Sequence, residues 1–113
     1  MSVAELAARQ LEAYNRADLD AFCACYHPEV TVLDTVGTVS FSGSETFRAR
    51  YVDKFARGGF GATVPERIVM GPHCVDLEHY WWIDAEGEQQ EGCVLVRYTV
   101  ADGLIAVVQF LDS

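Results

Sequence analysis

The chain predicts an α+β fold in which helices cover one face of a curved sheet. Three observations support this. Apolar residues recur at helical spacing behind capping residues, first at the start of the chain and again in its middle. The last half changes to alternating runs rich in β-branched and aromatic residues. Turn signals at Gly71-Pro72, Asp84-Ala85-Glu86-Gly87 and Ala101-Asp102-Gly103 divide that half into four strands of an antiparallel meander.

Ser2 and Glu5 form a capping box, and Val3, Leu6, Ala7, Gln10, Leu11 and Tyr14 share one face of a first helix running to about Arg16. Asp18 caps a second, shorter helix with the stripe Leu19, Phe22, Cys23 and Tyr26, stopped by Pro28, which disfavours helix at His27. Val30 to Asp34 is a strand, Gly37 marks a turn, and Thr38 to Ser42 is a second strand. Ser42 or Ser44 caps a third helix in which Phe47, Tyr51 and Phe55 lie four apart; Lys54 and Arg57 suit its negative C-terminal end, and Gly58-Gly59 closes it. Pro65 has no N–H to donate, which places the strand from Thr63 to Met70 at a sheet edge. His73 to Ile83 follows it, and Leu104 to Leu111, nearly all apolar, is expected to be central.

A length of 113 residues suits one domain spanning 1–113. The net charge of −9, from 17 acidic and 8 basic residues, argues against nucleic acid and anionic membrane surfaces as partners. No apolar run approaches bilayer length and no basic-then-apolar leader is seen, so a soluble, cytoplasmic protein is expected. The cysteines are Cys23, Cys25, Cys74 and Cys93, and the only close pair diverges on a helix. Free thiols are expected, with neither a disulfide framework nor a metal site, and no cofactor is required.

Polar residues that interrupt apolar stripes carry the functional signal. Alternation along the strand that buries Val30 and Val32 carries Asp34 to the same face. Two roles fit an acid there: a general base whose pKa is perturbed by burial, or a cap accepting backbone N–H groups of the turn from Thr35 to Gly37. On the strand from His73 to Ile83, alternation puts Val75, Leu77, His79, Trp81 and Ile83 on one face, apolar but for His79, and Cys74, Asp76, Glu78, Tyr80 and Trp82 on the other. The odd face is expected to point inward. Gln10 interrupts the first helix in the same way. Three polar groups from three elements, all directed inward, suggest an enclosed pocket. Each also has a plainer role: His79 as a satisfied core histidine, Gln10 as a margin residue reaching solvent. The even face places Asp76 and Glu78 near Arg67 as a structural cluster, and Tyr80 and Trp82 fit a subunit interface.

Tyr14-Asn15-Arg16-Ala17-Asp18-Leu19-Asp20, then Val32-Leu33-Asp34-Thr35-Val36-Gly37, then Ser42-Gly43 ahead of a helix, resemble the steroid isomerase pattern over nearly the whole chain. The resemblance implies the nuclear transport factor 2-like superfamily, whose members include ketosteroid isomerases, SnoaL-like polyketide cyclases, epoxide hydrolases, dehydratases and non-catalytic binding domains. It implies a cone-shaped α+β roll, with a curved mixed β-sheet covered on its concave face by three helices. It places Asp34 at the isomerase's catalytic base. That enzyme's base works with an oxyanion hole of one tyrosine and one protonated aspartic acid, positions matched here by Gln10 and Val96. Tyr26 and Tyr51 match two supporting tyrosines, and Leu77, His79 and Trp81 fall along the pocket wall.

The sequence therefore points to a small-molecule-binding domain for an apolar organic substrate, with acid–base chemistry by Asp34 and His79. Gln10 and Tyr14 are expected as polar contacts, and Tyr26, Phe47, Tyr51, Phe55, Leu77, Trp81, Val94, Val96, Val108 and Phe110 as lining or support. Without the two oxyanion donors, efficient ketosteroid isomerisation is not expected. A homodimer through the outer sheet face is expected, because Cys93, Leu95, Arg97 and Thr99 beside Tyr80 and Trp82 are too apolar a mixture for a solvated surface. The competing reading is a non-catalytic dimerisation or ligand- or partner-binding domain using that face. The sequence names neither the substrate nor the reaction subtype.

Overall fold

The computed structural model describes residues 1–112. Helix α1 spans Val3–Asn15, and its capping box closes as the sequence predicts: Ser2 Oγ accepts from the Glu5 N–H while the Glu5 carboxylate accepts from Ser2 N–H. Helix α2, Leu19–Cys23, begins at the Asp18 cap, whose carboxylate accepts from Ala21 N–H at 3.1 Å. It is shorter than predicted. Tyr26 and Pro28 belong instead to β1, Tyr26–Leu33, so Pro28 sits within a strand and not behind a helix.

Strand β2 is Val39–Ser42 and helix α3 is Ser44–Arg57. Neither Ser42 nor Ser44 caps α3. Gly43 occupies the cap position at φ 90°, where a side chain is disfavoured, and makes no side-chain cap bond. The remaining strands are β3, Phe60–Met70; β4, His73–Ile83; β5, Gln89–Ala101; and β6, Leu104–Leu111.

The strands form one sheet in the order β2-β1-β6-β5-β4-β3. All neighbours are antiparallel except β1 and β6, which run parallel, so the sheet is mixed. Two expectations hold here. β3 is an edge strand, with its register shifting between Thr63 and Glu66 around Pro65, and β6 lies inside the sheet. The helices pack against one face, where Leu6, Ala7, Phe22, Val30, Phe47, Val96 and Ile105 are sealed from solvent. Asn15 ties α1 to β3: its side-chain amide donates to Ala62 C=O at 2.9 Å and its carbonyl accepts from Ala62 N–H at 2.8 Å. Among the described residues no helix is long and apolar enough to cross a membrane.

The inward face of β4 is opposite to the one alternation suggests. Residues paired across antiparallel strands share a face, and Asp76 pairs with Val96, Glu78 with Val94 and Tyr80 with Gly92. Val96 and Val94 are buried, and Cys74 and Asp76 are only 1% exposed. The even residues therefore face the helices. Asp76 can be buried because Arg67 grips it with two bonds, Nε at 2.6 Å and a terminal nitrogen at 2.9 Å, which compensates the charge. Val75, Leu77, His79, Trp81 and Ile83 lie on the outer face, with Ile83 exposed and Leu77 and Trp81 half-buried.

Candidate functional site

The helices and the concave face of the sheet line a half-open cavity of about 230 Å3. From α1 it is lined by Gln10 and Tyr14, from α2 by Phe22, and from α3 by Phe47, Tyr51 and Lys54. The sheet contributes Tyr26, Glu78, Tyr80, Val94, Tyr98, Val108 and Phe110, with Asp112 following β6. Aromatic rings form most of one side. Phe22 stacks on Phe47 at 5.6 Å and meets Tyr26, Tyr51 and Phe55 at 5.0 to 5.1 Å, so the wall is fixed by ring-on-ring packing.

Eight of the predicted site residues meet here: Gln10, Tyr14, Tyr26, Phe47, Tyr51, Val94, Val108 and Phe110. Phe55 supports the wall from behind, packing on Tyr14 at 5.8 Å, and Val96 is sealed in the core. Leu77, His79 and Trp81 lie on the far side of the sheet, and His79 is exposed.

Asp34 is also outside the cavity. β1 keeps its register with β6 from Thr31 through Leu33 and ends there, so Asp34 opens the turn beyond the strand and is exposed, although Val30 and Val32 are buried. Its carboxylate accepts from Val36 N–H at 3.1 Å and Thr38 N–H at 2.9 Å. Asp84 does the same for Glu86 at 3.0 Å and Glu88 at 2.9 Å. The two turns, Asp34-Thr35-Val36-Gly37-Thr38 and Asp84-Ala85-Glu86-Gly87-Glu88, are one motif used twice, and the turn-capping role is the one the geometry displays.

The cavity's polar groups divide into engaged and free. Gln10, 4% exposed, donates from Nε2 to Ala7 C=O at 3.0 Å and accepts from the Tyr26 hydroxyl at 2.9 Å. Lys54 Nζ donates to the Tyr14 hydroxyl at 2.6 Å. By contrast, among the described residues no side-chain hydrogen bond engages the Tyr51, Tyr80 or Tyr98 hydroxyl or the Glu78 carboxylate, and none of these atoms is sealed away without a partner. They open onto the cavity, where a polar atom can meet them.

Electrostatics follow from this burial. Loss of solvation, reinforced by the neighbouring Asp76 charge and opposed by Lys54, raises Glu78 to about 6. Burial lowers Lys54, against the attraction of Glu78. Tyr51 is pushed up to about 12, and Tyr26 and Tyr98 rise well above the ordinary phenol value, chiefly through burial, so all three stay neutral donors.

Glu78, Tyr80, Tyr98, Phe22, Lys54 and Asp112 escape the sequence reading. A signal for most of them existed. Tyr98 has the parity of Val94 and Val96, and Lys54 falls three residues after Tyr51 on the helix, where its position in the last turn suggested only a helix-end charge.

Residues 7–108 match the SnoaL-like domain family. The chain belongs to this family. Among solved structures it is similar to a cystatin-fold protein from Novosphingobium aromaticivorans, at 22% identity and TM-score 0.86 over 99% of each chain. It is similar to a candidate polyketide cyclase from Pseudomonas putida KT2440, at 21% identity and TM-score 0.74, covering 100% of this chain and 92% of that one. It is also similar to a computationally designed 17-OHP binder, at 14% identity and TM-score 0.85, covering 97% and 90%. None of the curated proteins compared with this SnoaL-like chain matches it. The SnoaL-like fold is thus that of the nuclear transport factor 2-like superfamily.

Proposed function

We propose that this SnoaL-like domain binds a small, largely apolar cyclic molecule between its helices and sheet and performs proton-transfer chemistry on it, with Glu78 as the acid–base group. The observation that carries this reading is the Glu78 carboxylate, raised to about 6 and free of side-chain partners on the wall of an aromatic cavity. A carboxylate near 6 both accepts and returns a proton close to neutral pH. Asp34 and His79, the acid–base pair expected from sequence, lie outside this cavity and have no place in the reading. The cavity of about 230 Å3 falls below the ~300–1,000 Å3 usual for drug-sized ligands, which favours one or two rings over a four-ring steroid. Val96 is sealed and has no donor, and Gln10 has committed its oxygen to Tyr26 and one amide N–H to Ala7, so the paired donors of an isomerase's oxyanion hole, each worth ~3–4 kcal/mol in rate, are not reproduced. Efficient ketosteroid isomerisation is therefore outside the proposal.

The test uses 5-nitrobenzisoxazole, which opens to a cyanophenolate when a base removes its ring C–H proton and the N–O bond breaks. The wild-type rate is expected to rise through a pKa of about 6 and level off above it. Glu78→Gln is expected to lower it by roughly 100-fold or more, and Asp34→Asn to leave it unchanged. Equal rates for wild type and Glu78→Gln would remove the acid–base role. If the probe binds without turnover, the non-catalytic binding reading, which the designed 17-OHP binder shows this fold can support, takes its place.

The outer sheet face, on which Leu95 pairs with Leu77 and from which the Tyr80 and Trp82 expected there are turned to the opposite face, is proposed as a homodimer interface. The observation favouring it is the run of Ile68, Leu77, Trp81 and Leu95 there, with Ile68 72% and Leu95 41% exposed.

A further inference from the structure

We infer that Lys54 and Tyr14 form a subsite for an acidic oxygen of the ligand: a carboxylate, or the ionised hydroxyl of an acidic enol or phenol. The inference rests on the cavity being the ligand site, as proposed above, and adds the chemical class of what enters it.

Lys54 is half-buried on the cavity wall, in a chain with 17 acidic and 8 basic residues. Arg16, Arg48 and Arg67 each pair with a carboxylate, yet Lys54 takes part in none of the described ion pairs. Its one side-chain hydrogen bond among the described residues goes to the Tyr14 hydroxyl at 2.6 Å. An ammonium has three donors, so two remain. The Tyr14 hydroxyl accepts from Lys54 and keeps its own proton to donate. Two adjacent donors result, one cationic and one neutral, which suit the two oxygens of a carboxylate or a single ionised oxygen.

The ammonium is also held in place. Nζ lies 5.0 Å from the centroids of both the Tyr14 and Phe60 rings, whose faces attract a cation. Service at the negative end of α3 does not account for this position. Arg57 supplies a charge in that same turn from the exposed side, whereas Lys54 reaches across to α1. Burial lowers Lys54, and Glu78 on the same cavity opposes that by favouring the charged form. A cation desolvated among aromatic rings gains more from an anion than from a neutral carbonyl.

Calorimetric titration of 2-naphthoate and methyl 2-naphthoate at neutral pH separates the possibilities, because the two share a ring system and differ in the acidic oxygen. Wild-type protein is expected to bind the acid about tenfold more tightly than the ester. Lys54→Met is expected to abolish that preference while holding ester affinity within about twofold, and Lys54→Arg to retain part of it. An ester bound as well as or better than the acid by wild type overturns the subsite while leaving the cavity as a ligand site. So does an equal loss for both probes in Lys54→Met. Binding of neither probe overturns both. Should Lys54→Met melt at a much lower temperature than wild type, Lys54→Gln provides the same comparison, and the wild-type preference alone still decides the outcome.

Discussion

A single side chain, Glu78, carries opposite demands. Its carboxylate is desolvated beside Asp76 and answered at a distance by Lys54, so the folded state holds its proton more tightly than the unfolded chain does. Protonated Glu78 is thus the form the fold prefers. Its favourable contribution is complete below pH 4.5, where both states are protonated, and is lost as pH rises through about 6. Glu78→Gln keeps the neutral form at every pH. Its stability advantage over wild type is expected to grow by roughly 1 kcal/mol between about pH 5 and about pH 8, measured by urea unfolding of both proteins. A constant difference across that range would mean that Glu78 is solvated and its pKa ordinary. The same residue shows what the sequence conceals. A glutamate on a strand reads as solvent-facing, because alternation reports polarity and a carboxylate facing an internal cavity is as polar as one facing water. Asp34 misleads in the converse sense. Its neighbours Val30 and Val32 are buried as expected, but the strand ends at Leu33 and the chain turns at the acid, so the alternation stops one residue short of it.

Among the elements, β3 and β4 show how one ion pair sets the orientation of a strand. Helix positions, edge and central strands and most turns are legible because caps, prolines and glycines act locally: Ser2, Asp18 and Gly58 each mark a helix boundary and Pro65 marks an edge strand, each by its own chemistry. The face of β4 is not local. It depends on Arg67, nine residues earlier on the neighbouring strand, neutralising Asp76 with bonds of 2.6 and 2.9 Å, and so permitting the polar face to turn inward. With the charge satisfied, the apolar odd face is free to lie outside. Arg67→Met leaves Asp76 buried without its counter-ion and is expected to cost roughly 3–5 kcal/mol, enough to threaten folding. Adding Asp76→Leu to that change is expected to recover most of the loss, because a packed apolar pair replaces the stranded charge. Thermal melts of the single and double variants check this; a double variant no more stable than the single one would show that the pair positions β4 by more than charge neutralisation.

At the scale of the whole molecule, the two faces of the sheet differ in what covers them. The concave face, covered by α1, α2 and α3, lines the cavity; among the described residues no helix lies against the outer face, which leaves Ile68, Leu77, Trp81 and Leu95 wholly or partly accessible. An interface of stable kind buries ~1,200–2,000 Å2 in total, and such an apolar sheet face can supply it. Two chains each carrying −9 repel one another, so the apolar contact has to overcome a charge term that salt screens within ~10 Å at 0.1 M. Dimerisation through this face is therefore expected to strengthen as salt rises, the opposite of an interface held by ion pairs. Light scattering at tens of micromolar is expected to give the dimer mass, with the monomer fraction falling between low and moderate salt. Leu95→Glu puts a charge in the middle of the face and is expected to give a monomer that still binds an aromatic probe in the cavity, since Leu95 points away from it. Monodisperse monomer at all salt concentrations would leave the outer face without a partner of its own kind, and loss of probe binding in a folded Leu95→Glu monomer would show that the cavity depends on the second subunit.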